Sequence, residues 1–171
     1  MSKINLKIVG DSVLRKKAEK VEIFDESLSK LLDDMVETMI FEGGVGLAAP
    51  QVGVSKMVAV VNPDPGNSET LMRLVNPKII ETGAETESVE EGCLSVPGIR
   101  GNVIRPVVIV LEYQDEKGNA SKMQIDGLIS RIVQHELDHL AGVLFTDRLS
   151  FAKKMMVKGK LKELARRAKQ E

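Results

Sequence analysis

Both histidines of this chain and its single cysteine fall in two short motifs whose residue types suit one metal ion. The histidines occupy Gln134-His135-Glu136-Leu137-Asp138-His139, four positions apart with a glutamate between them. On a helix such residues lie one turn apart on the same face, so both imidazoles can reach the same cation. Cys93 sits in Glu91-Gly92-Cys93-Leu94-Ser95, a short acidic, glycine-bearing stretch that reads as a loop and can supply a third ligand. Three protein ligands leave a fourth position open, the arrangement of a catalytic metal rather than a structural one. The chemistry this favours is hydrolysis by a metal-activated water.

The helix that must carry the histidines is expected from about Gly127 to Ala141, stopped by Gly142. At about 100° per residue, Leu128, Ile129, Ile132, Val133, Leu137 and Leu140 cover roughly half its circumference. Ser130, Arg131, Gln134 and Asp138 gather on the opposite side. His135 and His139 fall at one margin of the apolar arc, and Glu136 falls well inside it. A carboxylate aimed at a dry interior is costly without a partner. Desolvation raises its pKa and a nearby cation lowers it, so such a group suits proton exchange with water near neutral pH. The alternative is a structural histidine pair with a buried glutamate as hydrogen-bond partner. Composition alone gives His-Glu-x-x-His by chance in roughly one per cent of chains this size.

Gly44-Val45-Gly46-Leu47-Ala48-Ala49-Pro50-Gln51 strips away side-chain bulk, which suits a backbone segment that another group must approach closely. A tightly packed turn accounts for the small residues equally well. Gln51 adds an amide able to donate to a developing oxyanion.

Around these motifs, Asp11 is placed to cap a short helix through Val13, Leu14 and Ala18. A clearer helix follows Asp25, with Leu28, Leu31, Leu32, Met35, Met39 and Ile40 at helical spacing, and ends at Gly43-Gly44. Met57–Val61 reads as a strand and Asn62–Asn67 as a turn. Leu71–Val75 and Lys78–Glu81 read as two strands separated by Asn76-Pro77. Val107–Leu111 and Ser121–Ile125 flank Asp115–Asn119 as a hairpin. Grouped, hairpin-linked strands with helices before and after predict an α+β fold. Antiparallel sheets would pack around a central metal-binding helix, with an N-terminal and a C-terminal helix.

At 171 residues one domain is the expectation, spanning residues 1–171. A net charge of -1 and an aromatic content of 3% argue against a chain built to coat DNA or stack bases. No apolar run approaches the length of a membrane span. Met1–Lys7 lacks the apolar stretch of a signal peptide, and a lone cysteine suits a reducing compartment, so the cytoplasm is expected. After Arg148 come Lys153, Lys154, Lys158, Lys160, Lys162, Arg166, Arg167 and Lys169, opposed only by Glu163 and Glu171. Phe151, Met155, Met156, Leu161, Leu164 and Ala165 allow this stretch, about 149–170, to form a helix with a partly apolar side. A solvated basic face is the simplest reading.

Gly44–Gln51, Glu91–Ser95 and Gln134–His139 resemble, in order and approximate spacing, the three signature motifs of the bacterial peptide deformylases. The length of the chain fits that family, so the resemblance spans essentially all of it. It implies removal of the N-formyl group from the initiator methionine of nascent polypeptides, releasing formate. Carried onto these positions, it implies that Cys93, His135 and His139 hold the metal and that Glu136 is general base and then acid. Gln51 and the backbone N–H of Leu94 would face the oxyanion. The metal implied is Fe(II), with zinc, nickel or cobalt able to substitute; Cys-His-His ligation suits zinc as well.

The methionine side chain needs an apolar slot, for which Val45, Leu128 and Ile132 are the candidate walls; core packing is the alternative for the last two. Arg131 stands at the pocket edge, where bacterial relatives often carry an apolar residue. Gly46 and Arg100 are candidates to hold the peptide backbone as an added strand. The resemblance suggests that Asp138 and Arg105 brace the site and that Glu91 orients a ligand; a surface salt bridge is the alternative for Asp138. In some bacterial members the C-terminal helix docks on the ribosome near the exit tunnel, which makes the ribosome a candidate partner beside N-formylmethionyl peptides.

Two rival functions remain. A metallopeptidase using His-Glu-x-x-His generally draws its third ligand from downstream of the helix, and here no further histidine exists. A non-catalytic ribosome- or RNA-binding module retaining a structural metal would have no need of Glu136 or Gln51.

Overall fold

Asp25 starts the first helix: its backbone is extended, and its Oδ1 accepts from the N–H groups of Ser27 and Leu28 at 3.0 and 3.1 Å. In the computed structural model, which describes residues 4–170, helix α1 runs Glu26–Phe41. Met1–Lys3, the first part of the Met1–Lys7 leader reading, and Glu171 lie outside the described residues. Gly43, at φ 68, turns the chain out of α1, and the Gly44 N–H returns to the Met39 carbonyl at 2.9 Å. Leu28, Leu32, Met35 and Met39 are buried, but Ile40 is exposed and lies off the apolar stripe.

Short strand β1 (Gly46–Ala48) and β2 (Val58–Val61) follow, then β3 (Met72–Thr82), β4 (Thr86–Cys93), β5 (Val96–Pro106), β6 (Ile109–Gln114) and β7 (Ala120–Ile125). Helix α2 runs Gly127–Leu140 and α3 runs Phe151–Arg167. The fold is α+β, as the grouping of elements implied. Strands β1-β2-β3-β6-β7, in that order, form an antiparallel sheet, and β4 and β5 form a separate two-stranded hairpin. Leu28, Leu32, Met35 and Met39 of α1 pack on β1 and β2, while Ile132 and Val133 of α2 join Val61, Leu74, Ile109 and Leu111 of the sheet. The hairpin meets the other side of α2. There Gln134 Nε2 donates to the Pro106 carbonyl at 2.9 Å, and Arg105 Nη1 pairs with Asp138 Oδ2 at 2.9 Å.

Several local expectations give way to tertiary context. The two strands proposed around Asn76-Pro77 are one strand, β3, with a register shift between Val75 and Lys78. Asn76 takes φ 51 and pays for it with its side chain. Its Oδ1 accepts from Val21 N at 2.8 Å, while Nδ2 donates to Val21 O at 2.9 Å and Gln114 Oε1 at 2.8 Å. The helix read from Asp11 to Ala18 is a single 3-10 turn, Ser12–Arg15. The first strand of the later hairpin begins at Ile109 rather than Val107. Glu91–Cys93 is not loop but the end of β4, leaving Leu94-Ser95 as a tight turn; Thr86–Glu90 is mostly exposed and carries no alternation to betray a strand. On α3, Phe151, Met155 and Met156 are exposed, and Val157, Leu161 and Leu164 make the contact with the core.

Asn76→Ala should lower the unfolding free energy by about 3 kcal/mol, combining lost hydrogen bonds with left-handed backbone strain. Asn76→Gly, free of the strain, should lose less. Urea melts of the two variants measure the difference.

Candidate metal centre

Helix α2 is the scaffold of the site. Apart from half-buried Leu137, every side chain from Ser130 to Leu140 is buried, so its polar side faces protein rather than solvent. Gly142, at φ 75, ends the helix where a Cβ would lie 2.7 Å from the Arg15 carbonyl. His135 and His139 stand one turn apart with ring centroids 5.1 Å from each other, and Phe145 stacks on His135 at 6.0 Å.

Cys93 arrives from the hairpin. A register shift between Gly92 and Cys93 bulges the strand at its last residue, a device that re-aims a side chain. Its Sγ lies 3.3 Å from His139 Nε2, and donor atoms of Cys93, His135 and His139 all lie within 4.8 Å of one another. A tetrahedral cation with metal–sulfur and metal–nitrogen bonds of roughly 2.3 and 2.0 Å separates its donors by about 3.5 Å, so the trio fits such an ion. Thiolate with two imidazoles is also a borderline-soft donor set, suited to first-row divalent metals.

The imidazoles are held in different states. At His135, burial works against charge, but hydrogen bonds with Cys93 and Glu91 and the negative charge of Glu136 outweigh it, pushing the pKa up to about 10. To hold a cation, His135 would have to give up that proton. Burial and the His135 charge hold His139 well below the ordinary histidine range, so its lone pair is free.

The polar groups behind the ligands form one buried cluster. Glu91 Oε2 lies 2.9 Å from His135 Nδ1, which leaves Nε2 toward Cys93. Arg105 grips both Glu91 oxygens, at 2.6 and 3.0 Å, and reaches Asp138. Burial alone would raise the Glu91 pKa, but His135 and Arg105 reverse this and bring it down to about 2. Asp138 is therefore not a surface salt bridge. It is 8% exposed, and Arg148 also holds it, with Nε and Nη2 each at 2.6 Å.

Glu136 is 4% exposed, and burial pushes its pKa up to about 7 against the pull of His135 and Arg105. Its Oε2 has no hydrogen-bond partner among the described residues, and neither does His139 Nδ1. Its Oε1 explains the small residue at Gly46, where a Cβ would lie 2.4 Å from that oxygen and 2.8 Å from Ile132 Cγ2. Gln51 is 2% exposed, and its Oε1 accepts from Ala48 N at 2.8 Å, which fixes the amide's orientation. Nε2 then points at Ser95 Oγ, 3.2 Å away, and Cys93 Sγ, 3.5 Å away.

A cleft of about 710 Å³ opens over these groups. Val45, Gly46, Gln51, Leu94, Arg100, Leu128, Ile132, His135 and Glu136 all line it. Leu128 is exposed, so core packing does not explain it, whereas Ile132 both lines the cleft and joins the core. Arg100 is exposed and pairs with Glu90 at 2.9 Å. Arg131 lines the cleft, as its place at the pocket edge implied, yet it is buried and pairs with Glu91 Oε1 at 2.8 Å. Sequence reasoning also missed Arg148, Ser95 and Phe145. For Arg131 it missed only the contact with Glu91, although a place four residues before His135 on one helix face was a signal.

Comparison with known proteins agrees with this geometry. The family model described as polypeptide deformylase matches residues 4–155. A peptide deformylase of Thermotoga maritima is 44% identical over 164 residues, covering 96% of this chain and 98% of that one. One from a Picosynechococcus strain is 44% identical over 147 residues, covering 85% and 79%. The crystal structure of the Plasmodium falciparum peptide deformylase superposes with a TM-score of 0.93 at 38% identity, covering 97% of this chain and 98% of that one.

A Gly46→Ala substitution must push Glu136 aside. Since a displacement of about 1 Å costs on the order of a hundredfold in rate, hydrolytic turnover should fall by about that factor. Metal content, measured by elemental analysis, should stay at the wild-type level.

Proposed function

The chain belongs to the polypeptide deformylase family, metal-dependent hydrolases that remove the N-formyl group from nascent polypeptides, and from that premise we propose which of its residues do this work. Cys93, His135 and His139 hold one divalent cation. The observation that carries the assignment is their convergence within 4.8 Å beside the buried Glu136. A cation there supplies Lewis acidity, polarising the formyl carbonyl and acidifying water.

The protein's own groups do the rest. Glu136 takes the proton of the attacking water through its unpartnered Oε2 and returns it to the leaving amide nitrogen. Negative charge grows on the formyl oxygen, where the Gln51 amide and the Leu94 N–H are the donors. Gln51 suits this because its carbonyl end is already tied to Ala48, which leaves the NH₂ end at the thiolate side of the cleft. Val45, Leu128 and Ile132 wall the slot for the methionine side chain. Gly46 and Arg100 hold the peptide backbone. Glu91 fixes the His135 ring, while Arg105 and Asp138 hold Glu91 and the helix in place. Family membership favours this reading over cleavage of internal peptide bonds and over a non-catalytic module.

We also propose Fe(II) as the native cation, on the family resemblance, with zinc, nickel or cobalt able to occupy the same donors. The whole chain would act as one catalytic domain in the cytoplasm. Among the described residues no helix is long and apolar enough to cross a membrane. For the basic helix α3 we propose the ribosome as partner, supported by exposed Lys154, Lys158 and Lys162 at successive turns.

Protein prepared without oxygen and loaded with Fe(II) should release formate from formyl-Met peptides; peptide-bond cleavage without formate would sink the assignment. Glu136→Gln should keep its metal and lose about a thousandfold in kcat. Because the ionised carboxylate is the active form, wild-type kcat/KM should fall as pH drops through the Glu136 pKa. That pKa is about 7 before a cation lowers it. Reversing Lys154, Lys158 and Lys162 to Glu should abolish salt-sensitive cosedimentation with ribosomes. Unchanged cosedimentation would remove α3 from that role.

A further inference from the structure

Arg131 is a buried cation at a position where the hydrolytic reaction itself asks for no charge. It is 8% exposed, and its guanidinium meets three acceptors. Nη1 donates to Glu91 Oε1 at 2.8 Å and to the Val103 carbonyl at 2.9 Å, and Nη2 donates to the Glu87 carbonyl at 2.7 Å. Glu87 lies on β4 and Val103 on β5, so one side chain of α2 binds the backbone of both hairpin strands. The third acceptor is the carboxylate whose other oxygen holds the His135 ring.

These contacts bear on a specific problem. Cys93 is carried by the hairpin, whereas His135 and His139 are carried by α2. The spacing of sulfur to nitrogen therefore depends on how these two elements lie against each other. Arg105 grips Glu91 from β5 and reaches α2 only at Asp138, so without Arg131 the sole direct link from Glu91 to the helix would be the His135 ring it has to orient. Arg131 grips it from α2. With guanidinium groups on both sides, Glu91 is held to the hairpin by Arg105 and to the helix by Arg131 independently of the His135 ring. A planar fork serving several acceptors at once is something that lysine cannot reproduce. Since burying a guanidinium is costly in itself, such a group is better understood through the geometry it enforces than through net stability.

We propose that Arg131 is a positioning residue of the metal centre: it holds the β4–β5 hairpin and the Glu91–His135 pair in register with α2, so that Cys93 and the two imidazoles are spaced for a cation before one arrives. The inference rests on the ligand assignment above.

The test uses full-length protein loaded with zinc and challenged with an excess of a chromogenic chelator, plus Co(II)-loaded protein for absorption spectra. Arg131→Met should release zinc at least about tenfold faster than wild type, the scale set by partners standing behind metal ligands, with Arg131→Lys in between. The thiolate-to-cobalt absorption should shift in both variants. Zinc release at the wild-type rate overturns the proposal, as does faster release with an unaltered cobalt spectrum, which would mean that Arg131 merely supports the fold. Should Arg131→Met not fold, Arg131→Lys carries the same two readouts. Cys93→Ala and His135→Ala serve as controls. If they retain zinc like wild type, the ligand assignment is at fault; if they lose it while both Arg131 variants behave as wild type, only the positioning role fails.

Discussion

From Ser130 to Leu140 helix α2 is enclosed between the five-stranded sheet and the β4–β5 hairpin, so each of its polar side chains has to find a partner inside the protein. An unpaired buried charge is expensive, which makes the arrangement of Glu91, Arg105, Arg131, Asp138 and Arg148 a condition for the helix to sit where it does. Two carboxylates face three guanidinium groups there, with His135 closing the cluster on the side of the candidate metal. The same contacts that make the helix tolerable in the interior also fix its rings. Stability and ligand geometry are thus one requirement here.

The approach of the sheet to this helix is set by small residues. Ala48 and Ala59 pack with Leu140, and Gly46 leaves the space that the Glu136 carboxylate occupies. Burial is what would suit that carboxylate to carrying a proton. In water its pKa would lie far below neutral, whereas enclosure by β1 and α2 raises it to about 7. A larger residue at Gly46 would move Glu136 out of the position in which burial tunes it. The glycine-rich segment therefore helps to set where the glutamate sits and how it titrates.

Helix α3 stands apart from this economy. It touches the hairpin side of the core through Val157, Leu161 and Leu164 and contributes nothing to the cleft lining. Its exposed surface mixes basic residues with Phe151, Met155 and Met156, a surface the catalytic site does not require.

The residue types of the candidate site were legible in the chain. Two histidines four apart with a glutamate between them and a lone cysteine need no fold to suggest a metal, and a 3.6-residue period suffices to put Glu136 inward. The class of the fold followed from the grouping of strands and helices along the chain, and the later hairpin from the turn residues between its strands. What the chain could not disclose were relations between residues far apart in sequence. That Thr86–Cys93 is a strand depends on its pairing with β5, since only Glu91 among its residues is buried and no apolar alternation marks it. That Ser130, Arg131, Gln134 and Asp138 are buried depends on a hairpin folding over them, and local periodicity reports only that one side of a helix is polar. Arg148 reaches Asp138 because the 3-10 turn at Phe145–Arg148 brings it back beside α2. Local sequence determines which groups are present and which way a helix turns them, while the partner each meets is decided by packing over long separations.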